Sequence, residues 1–97
     1  MKPARLSASE IEQRLVSLPG WRLQGTKLQR AFRFADFSVA FAFMTRTALR
    51  AEQLDHHPEW SNVYNKVEVA LTTHYAGGLT ALHFPLAEAI ERFASPQ

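Results

Sequence analysis

The spacing of apolar positions switches between helical and strand periods along this 97-residue chain. Ile11, Leu15 and Leu18 recur at three- to four-residue intervals, which marks one face of a helix. Ser7 precedes them as a cap, Glu10 stands at the capping-box position, and Leu6 can staple onto Ile11. Pro19-Gly20 ends this helix. Trp21 and Leu23 then alternate with polar residues, Gly25-Thr26 turns the chain, and Leu28, Phe32 and Phe34 continue an inward period of two, as in a hairpin. Asp36 caps a long second helix. On it Phe37, Phe41, Met44, Ala48 and Ala51 share one face, while Val39, Phe43 and Leu54 lie roughly opposite. One face covers a sheet. The other calls for a second partner, most simply a helix of another subunit, with the N-terminal helix of the same chain as the alternative cover.

Pro58 disfavours helical geometry at His57, so the long helix stops near His56. From Val63 to Thr73, Val67, Val69 and Leu71 alternate with Glu68, Ala70 and Thr72, a strand pattern that Asn65-Lys66 either turns or bulges. Tyr75-Ala76-Gly77-Gly78 is a loop. Leu86, Ile90 and Phe93 mark one face of a last helix. With two strands in the Val63–Thr73 region, the order is α-β-β-α-β-β-α. That is an α+β fold, an antiparallel four-stranded sheet covered on one face by helices. No repeat, linker or low-complexity segment interrupts it, and residues 1–97 form a single domain.

Composition narrows the classes. A hydrophobic share of 46% suits a globular chain. So short a chain buries a modest core, and an oligomer would add to its stability. There is no cysteine, so disulfides, thiolate nucleophiles and thiolate metal sites are excluded. Net charge is +2, from 11 basic and 9 acidic residues. The two signs alternate without a basic run, which argues against direct nucleic-acid binding. The apolar-rich region from Phe34 to Met44 is too short to span a bilayer, and no apolar run follows the first basic residue. The expected compartment is the cytoplasm.

The chemistry concentrates in Glu52-Gln53-Leu54-Asp55-His56-His57-Pro58-Glu59-Trp60. Two adjacent histidines stand where the helix must end, and a third, His74, follows at a strand end beside the glycine loop. Imidazole is the side chain that gives and takes protons near neutrality. Should the strand lie under the long helix, the three rings surround one pocket mouth, with a donor and an acceptor for general acid–base chemistry. The rings of His56 and His57 should diverge. Glu52, four residues before His56, either forms a helix-surface pair with it or orients its ring. Trp60 and Tyr64 could stack on a flat ligand, and Thr72 and Thr73 offer hydroxyls and strand backbone groups. A metal site from His56 or His57 with His74 and His83 is a rival, but no HExxH spacing or cysteine supports it. Serine hydrolysis lacks its GxSxG elbow.

Glu52-x-x-x-His56-His57-Pro58, then Tyr64, then His74, resembles the signature of pterin-4a-carbinolamine dehydratases. The resemblance extends to Phe43-Met44-Thr45-Arg46, Asn62-Val63-Tyr64-Asn65-Lys66-Val67, Thr72-Thr73-His74 and Gly78-Leu79-Thr80, from Leu6 to about Phe93. It implies dehydration of 4a-hydroxytetrahydropterin (4a-hydroxytetrahydrobiopterin) to the quinonoid dihydropterin, in tetrahydrobiopterin recycling, without metal or organic cofactor. It implies His56, His57 and His74 as the acid–base residues. Asp55, Thr72, Thr73, Tyr75 and Trp60 are then substrate contacts. It also implies a homodimer or homotetramer. Relatives in this family double as dimerisation cofactors for a transcription factor, so a non-catalytic binding module is the second function class.

One residue departs from that pattern. Three residues after Thr80 the family has an aspartate, and this chain has His83. A Thr-x-x-Asp spacing makes a capping box, and histidine cannot be its acidic partner. Pro85 is tolerated only in a first helical turn. The last helix is therefore expected to start near Phe84 or Pro85.

Overall fold

A computed structural model describes residues 5–72 and 80–95. Seven elements follow in the expected order: α1 (Ala8–Leu15), β1 (Arg22–Gln24), β2 (Lys27–Arg33), α2 (Phe37–Leu54), β3 (Glu59–Val63), β4 (Lys66–Leu71) and α3 (His83–Ala94). The strands form one antiparallel sheet in the order β1-β2-β4-β3.

Local chemistry accounts for the starts and turns. Ser7 and Glu10 form a complete capping box at the head of α1: the Ser7 hydroxyl accepts the Glu10 N–H, and the Glu10 carboxylate accepts the Ser7 N–H at 2.8 Å. Those bonds hold the Glu10 carboxyl below its ordinary value. α1 ends at Leu15, short of Pro19. Asp36 caps α2, its Oδ1 accepting the Val39 N–H at 2.9 Å. Gly25 takes a positive φ of 62° in the β1–β2 turn, a conformation that costs glycine nothing. The undecided break in the second strand region is a turn at Tyr64-Asn65, one residue earlier than Asn65-Lys66, and it separates β3 from β4 with Val63 opposite Lys66. Asn62 Nδ2 ties this turn by donating to the Tyr64 and Lys66 carbonyls.

The period of two divides the sheet faces. Leu28, Phe32, Val67, Val69 and Leu71 are buried toward the helices. Glu68 and Ala31, a cross-strand pair, lie on the open face, where Lys27 meets Glu59 at 3.3 Å. Leu86, Ala87 and Ile90 of α3 and Ile11 of α1 complete the core. Fully burying each large aliphatic side chain contributes about 1.5–3 kcal/mol. Glu91 of α3 clips the sheet from the side, accepting from Trp21 Nε1 at 2.9 Å and Arg30 Nε at 2.8 Å.

The two faces of α2 are assigned differently from the sequence reading. Ala40, Phe43, Thr47 and Ala51 are the buried side of this helix. The Phe43 ring sits 5.1 Å from Phe32 and 4.9 Å from Phe34, centroid to centroid. Phe37 and Phe41, expected beside Ala51, are exposed and contact each other at 5.8 Å. Val39 and Leu49 are exposed as well. Small residues decide the outcome, because Ala40, Thr47 and Ala51 let α2 approach its neighbours closely while Phe43 fills the gap. Among the described residues no helix is long and apolar enough to cross a membrane.

Candidate functional site

The end of α2 sets the position of the paired histidines. Asp55 adopts the left-handed conformation, with φ 51° and ψ 43°. The N–H of Asp55 bonds the Glu52 carbonyl at 3.2 Å, and the N–H of His56 reaches the Ala51 carbonyl at 3.0 Å. This is a Schellman motif with aspartate in the position that glycine usually holds. The helix stops at Leu54 through this reversal, one turn of chain before Pro58.

The reversal sends the two rings to different partners, as their adjacency suggests. His56 is half-buried, and its Nδ1 lies 3.3 Å from the Leu82 carbonyl oxygen at the head of α3. A carbonyl can only accept, so Nδ1 carries the proton in this bond and Nε2 of the neutral ring is left with a lone pair. Among the described residues, His56 Nε2 and Thr47 Oγ1 are the buried side-chain polar atoms without a hydrogen-bond partner. Burial lowers the His56 pKa from its ordinary value. The Leu82 backbone opposes that shift, the neighbouring His57 adds to it, and the Thr72 backbone weakly opposes it.

His57 is exposed, and its Nε2 lies 2.7 Å from Glu52 Oε1. The carboxylate therefore serves His57 and not His56, because the left-handed turn carries residue 57 back over the last turn of α2.

His83 completes the described part of the cluster. Its ring meets His56 edge to face, with centroids 4.6 Å apart and planes at 83°. It is fully buried. The Thr80 N–H donates to His83 Nδ1 at 3.0 Å, and the Thr80 hydroxyl oxygen, 3.3 Å from that nitrogen, accepts the Leu82 N–H at 3.2 Å. An imidazole lone pair thus takes the bond that an acidic capping partner would take. α3 begins at His83 itself, just before the expected start near Phe84 or Pro85; its N-cap, Leu82, makes no side-chain cap bond, and Pro85 still falls in the first turn. Burial, and then the proximity of His56, lower the His83 pKa to about 4. The sequence singles out His83 as a departure from the family pattern and as a possible ligand of the rival metal site, not as a partner of His56. The Thr80-x-x-His83 spacing was the signal, since neutral histidine is an acceptor.

The other sequence candidates divide. Asp55 is exposed beside the pair. Thr72 lies at the end of β4, its backbone near the His56 ring and its hydroxyl donating to the Thr26 carbonyl at 3.2 Å. Trp60 is partly buried against the core, opposite Val69 in the sheet. Thr73, His74 and Tyr75 lie outside the described residues. Among the described residues no group of three or more His, Cys, Asp or Glu side chains could hold a metal ion.

Comparison with known proteins gives one consistent result. Residues 4–93 match the family model described as pterin 4 alpha carbinolamine dehydratase. A Rhizobium johnstonii protein named "putative pterin-4-alpha-carbinolamine dehydratase" is 52% identical, over 98% of this chain and 96% of its own. A Novosphingobium aromaticivorans protein of the same name is 55% identical, over 96% of this chain and 99% of its own. The crystal structure of a transcriptional coactivator/pterin dehydratase from Brucella melitensis superposes with a TM-score of 0.90 at 46% identity, covering 94% of this chain and 99% of the other. A pterin dehydratase-like RuBisCO assembly factor of the α-carboxysome shares the fold alone, with a TM-score of 0.64 at 18% identity.

Proposed function

The chain belongs to the pterin 4 alpha carbinolamine dehydratase family, and on that premise we propose that it dehydrates 4a-hydroxytetrahydrobiopterin to quinonoid dihydrobiopterin in the cytoplasm, by histidine acid–base catalysis. The hydroxyl at C4a is protonated and leaves as water. The proton on N5 departs, and the nitrogen's electron pair closes the new double bond. Atoms and charges balance without a redox partner, which suits a site built of imidazoles. The observation that carries this reading is His56, a half-buried ring with one nitrogen engaged and the other, Nε2, unpartnered among the described residues. Held neutral by burial, it is suited to accept a proton. His57, exposed and paired with Glu52, is suited to exchange protons with solvent. His74 supplies the third imidazole of the family pattern. Asp55, Thr72, Thr73, Tyr75 and Trp60 are the proposed substrate contacts. No metal or organic cofactor enters this scheme.

The test is stopped-flow dehydration of freshly generated carbinolamine. The wild-type protein should accelerate the reaction, and His56→Ala or His74→Ala should each remove roughly 10²–10⁴-fold of that rate. A wild-type protein that leaves the spontaneous rate unchanged would overturn the enzyme reading.

A binding module is the second reading, and one observation favours it: the exposed apolar side chains that α2 carries at Phe37, Val39, Phe41 and Leu49. The Brucella relative carries both descriptions, coactivator and dehydratase. In this reading α2 pairs with helices of other chains, whether copies of this one or a protein partner. A homodimer or homotetramer is compatible with either reading.

A further inference from the structure

We propose that His83 is a positioning residue for His56: by taking the Thr80 N–H it fixes the head of α3, and with it the Leu82 carbonyl that locks His56 as the Nδ1–H tautomer with its Nε2 lone pair free to act as base. The inference rests on the proposed dehydration and names which ring atom of that site accepts the proton.

The chain of contacts is short. The Thr80 N–H points at His83 Nδ1 from 3.0 Å. The Thr80 hydroxyl accepts from Leu82 N, so its own proton is free to point at the same nitrogen, 3.3 Å away. The Thr80 carbonyl oxygen lies 3.1 Å from that nitrogen. Two donors against one acceptor favour a lone pair on Nδ1 and the proton on Nε2. These bonds, together with His83 N–H to the Thr80 carbonyl at 3.2 Å, fix residues 80–83 as one turn. Leu82 sits inside that turn, and its carbonyl takes the His56 Nδ1–H. A second-neighbour contact of this kind settles which nitrogen of a histidine carries the proton. The edge-to-face contact of the two rings adds a steric wall that keeps His56 from rotating away.

Charge works in the same direction. Several groups flank the pair. His57 adjoins His56 on the α2–β3 connection, and Glu52 of α2 is engaged with His57. From α1, the Arg14 guanidinium lies 5.5 Å from the centroid of the Phe84 ring, next to His83 on α3. β4 contributes no charge but the Thr72 backbone, a weaker acceptor toward the His56 ring than the Leu82 carbonyl. Two rings this close in a buried place cannot both be charged without mutual repulsion. A neutral His83 therefore leaves His56 free to titrate as a single base.

Two variants and two readouts test this. His83→Leu keeps the volume and removes the acceptor. His83→Asn restores an acceptor for the Thr80 N–H without a ring. Long-range ¹H–¹⁵N spectra of the histidine side chains report the His56 tautomer, and stopped-flow dehydration gives kcat and KM. The wild type should show His56 with its proton on Nδ1. His83→Leu should mix the tautomers and lower kcat by roughly tenfold, part of what a placed base contributes, with KM within about twofold. His83→Asn should recover the tautomer and most of kcat. An unchanged His56 tautomer in a folded His83→Leu protein overturns the positioning role, whatever the rate. A tautomer shift in a protein that dehydrates nothing keeps the positioning role and overturns the proposed function instead.

Discussion

The Nε2 of His57 lies 2.7 Å from the carboxylate of Glu52, five residues earlier. Both side chains are more than half exposed, at 57% and 79%, so solvent screens the pair and its worth to folding is small, about 0–1 kcal/mol. Its worth to chemistry is separate, because the carboxylate selects Nε2 as the protonated nitrogen and orients the ring. Glu52→Gln should leave the urea midpoint nearly unchanged while lowering kcat for carbinolamine dehydration several-fold. Loss of stability with intact kcat would show the pair to be a helix-end brace.

Asp55 holds φ 51° at the end of α2. A non-glycine residue there carries strain of the order of 1 kcal/mol, less for Asp than for most. Asp55→Gly should therefore leave stability unchanged or raise it by up to about 1 kcal/mol. As a proposed substrate contact, the same residue should matter to KM. The variant is expected to unfold no earlier than the wild type in a denaturant titration and to bind substrate more weakly. A clear drop in its unfolding midpoint would mean the carboxylate supports the turn.

The histidine pair should make the fold acid-sensitive. Burial holds His83 at about 4 against an ordinary 6.5, and lowers His56 as well. A ring whose pKa is depressed by folding binds its proton more readily once the chain unfolds. Its stabilising contribution is thus complete above pH 6.5 and is lost as the pH falls toward about 4. His83 alone is worth roughly 2–3 kcal/mol across that window. Chemical denaturation at pH 7 and pH 4.5 should differ by an amount of this order, and His83→Asn should flatten the difference. Equal pH slopes for the two proteins would remove His83 from the account.

Local signals were legible in the chain and non-local ones were not. The Ser7–Glu10 box and the Asp36 cap depend on residues three apart, so sequence spacing contains them. The alternation of Val67, Val69 and Leu71 is likewise a property of one strand. The face of α2 is different. Phe37, Phe41 and Phe43 are equally apolar, and nothing within the helix says which side meets the sheet. The small residues Ala40, Thr47 and Ala51 mark that side only once β4 and α3 are in place. The site shows the same divide. His56 and His57 were recognisable as a pair, but the left-handed turn at Asp55 hands Glu52 to the second of them. The role of His83 is hidden for a similar reason: the capping-box pattern asks for an acidic partner where a lone pair suffices.

The apolar side chains that α2 leaves exposed set the sharpest test of assembly. Phe37, Val39, Phe41 and Leu49 are exposed by 49%, 45%, 55% and 65%. They share one helix, and a single chain leaves them in water. Covering them with a second copy would remove apolar area at about 25 cal/mol per Å². Phe43 is only 2% exposed and belongs to the core, so it cannot report on assembly. Phe41→Glu should convert an oligomer to monomers in sedimentation velocity, with the far-UV spectrum and the His56 resonances unchanged. Phe43→Ala should instead cost about 3–5 kcal/mol of stability at any protein concentration. Wild-type protein that already sediments as a monomer at tens of micromolar would rule out self-association through α2 and leave that face to a different partner.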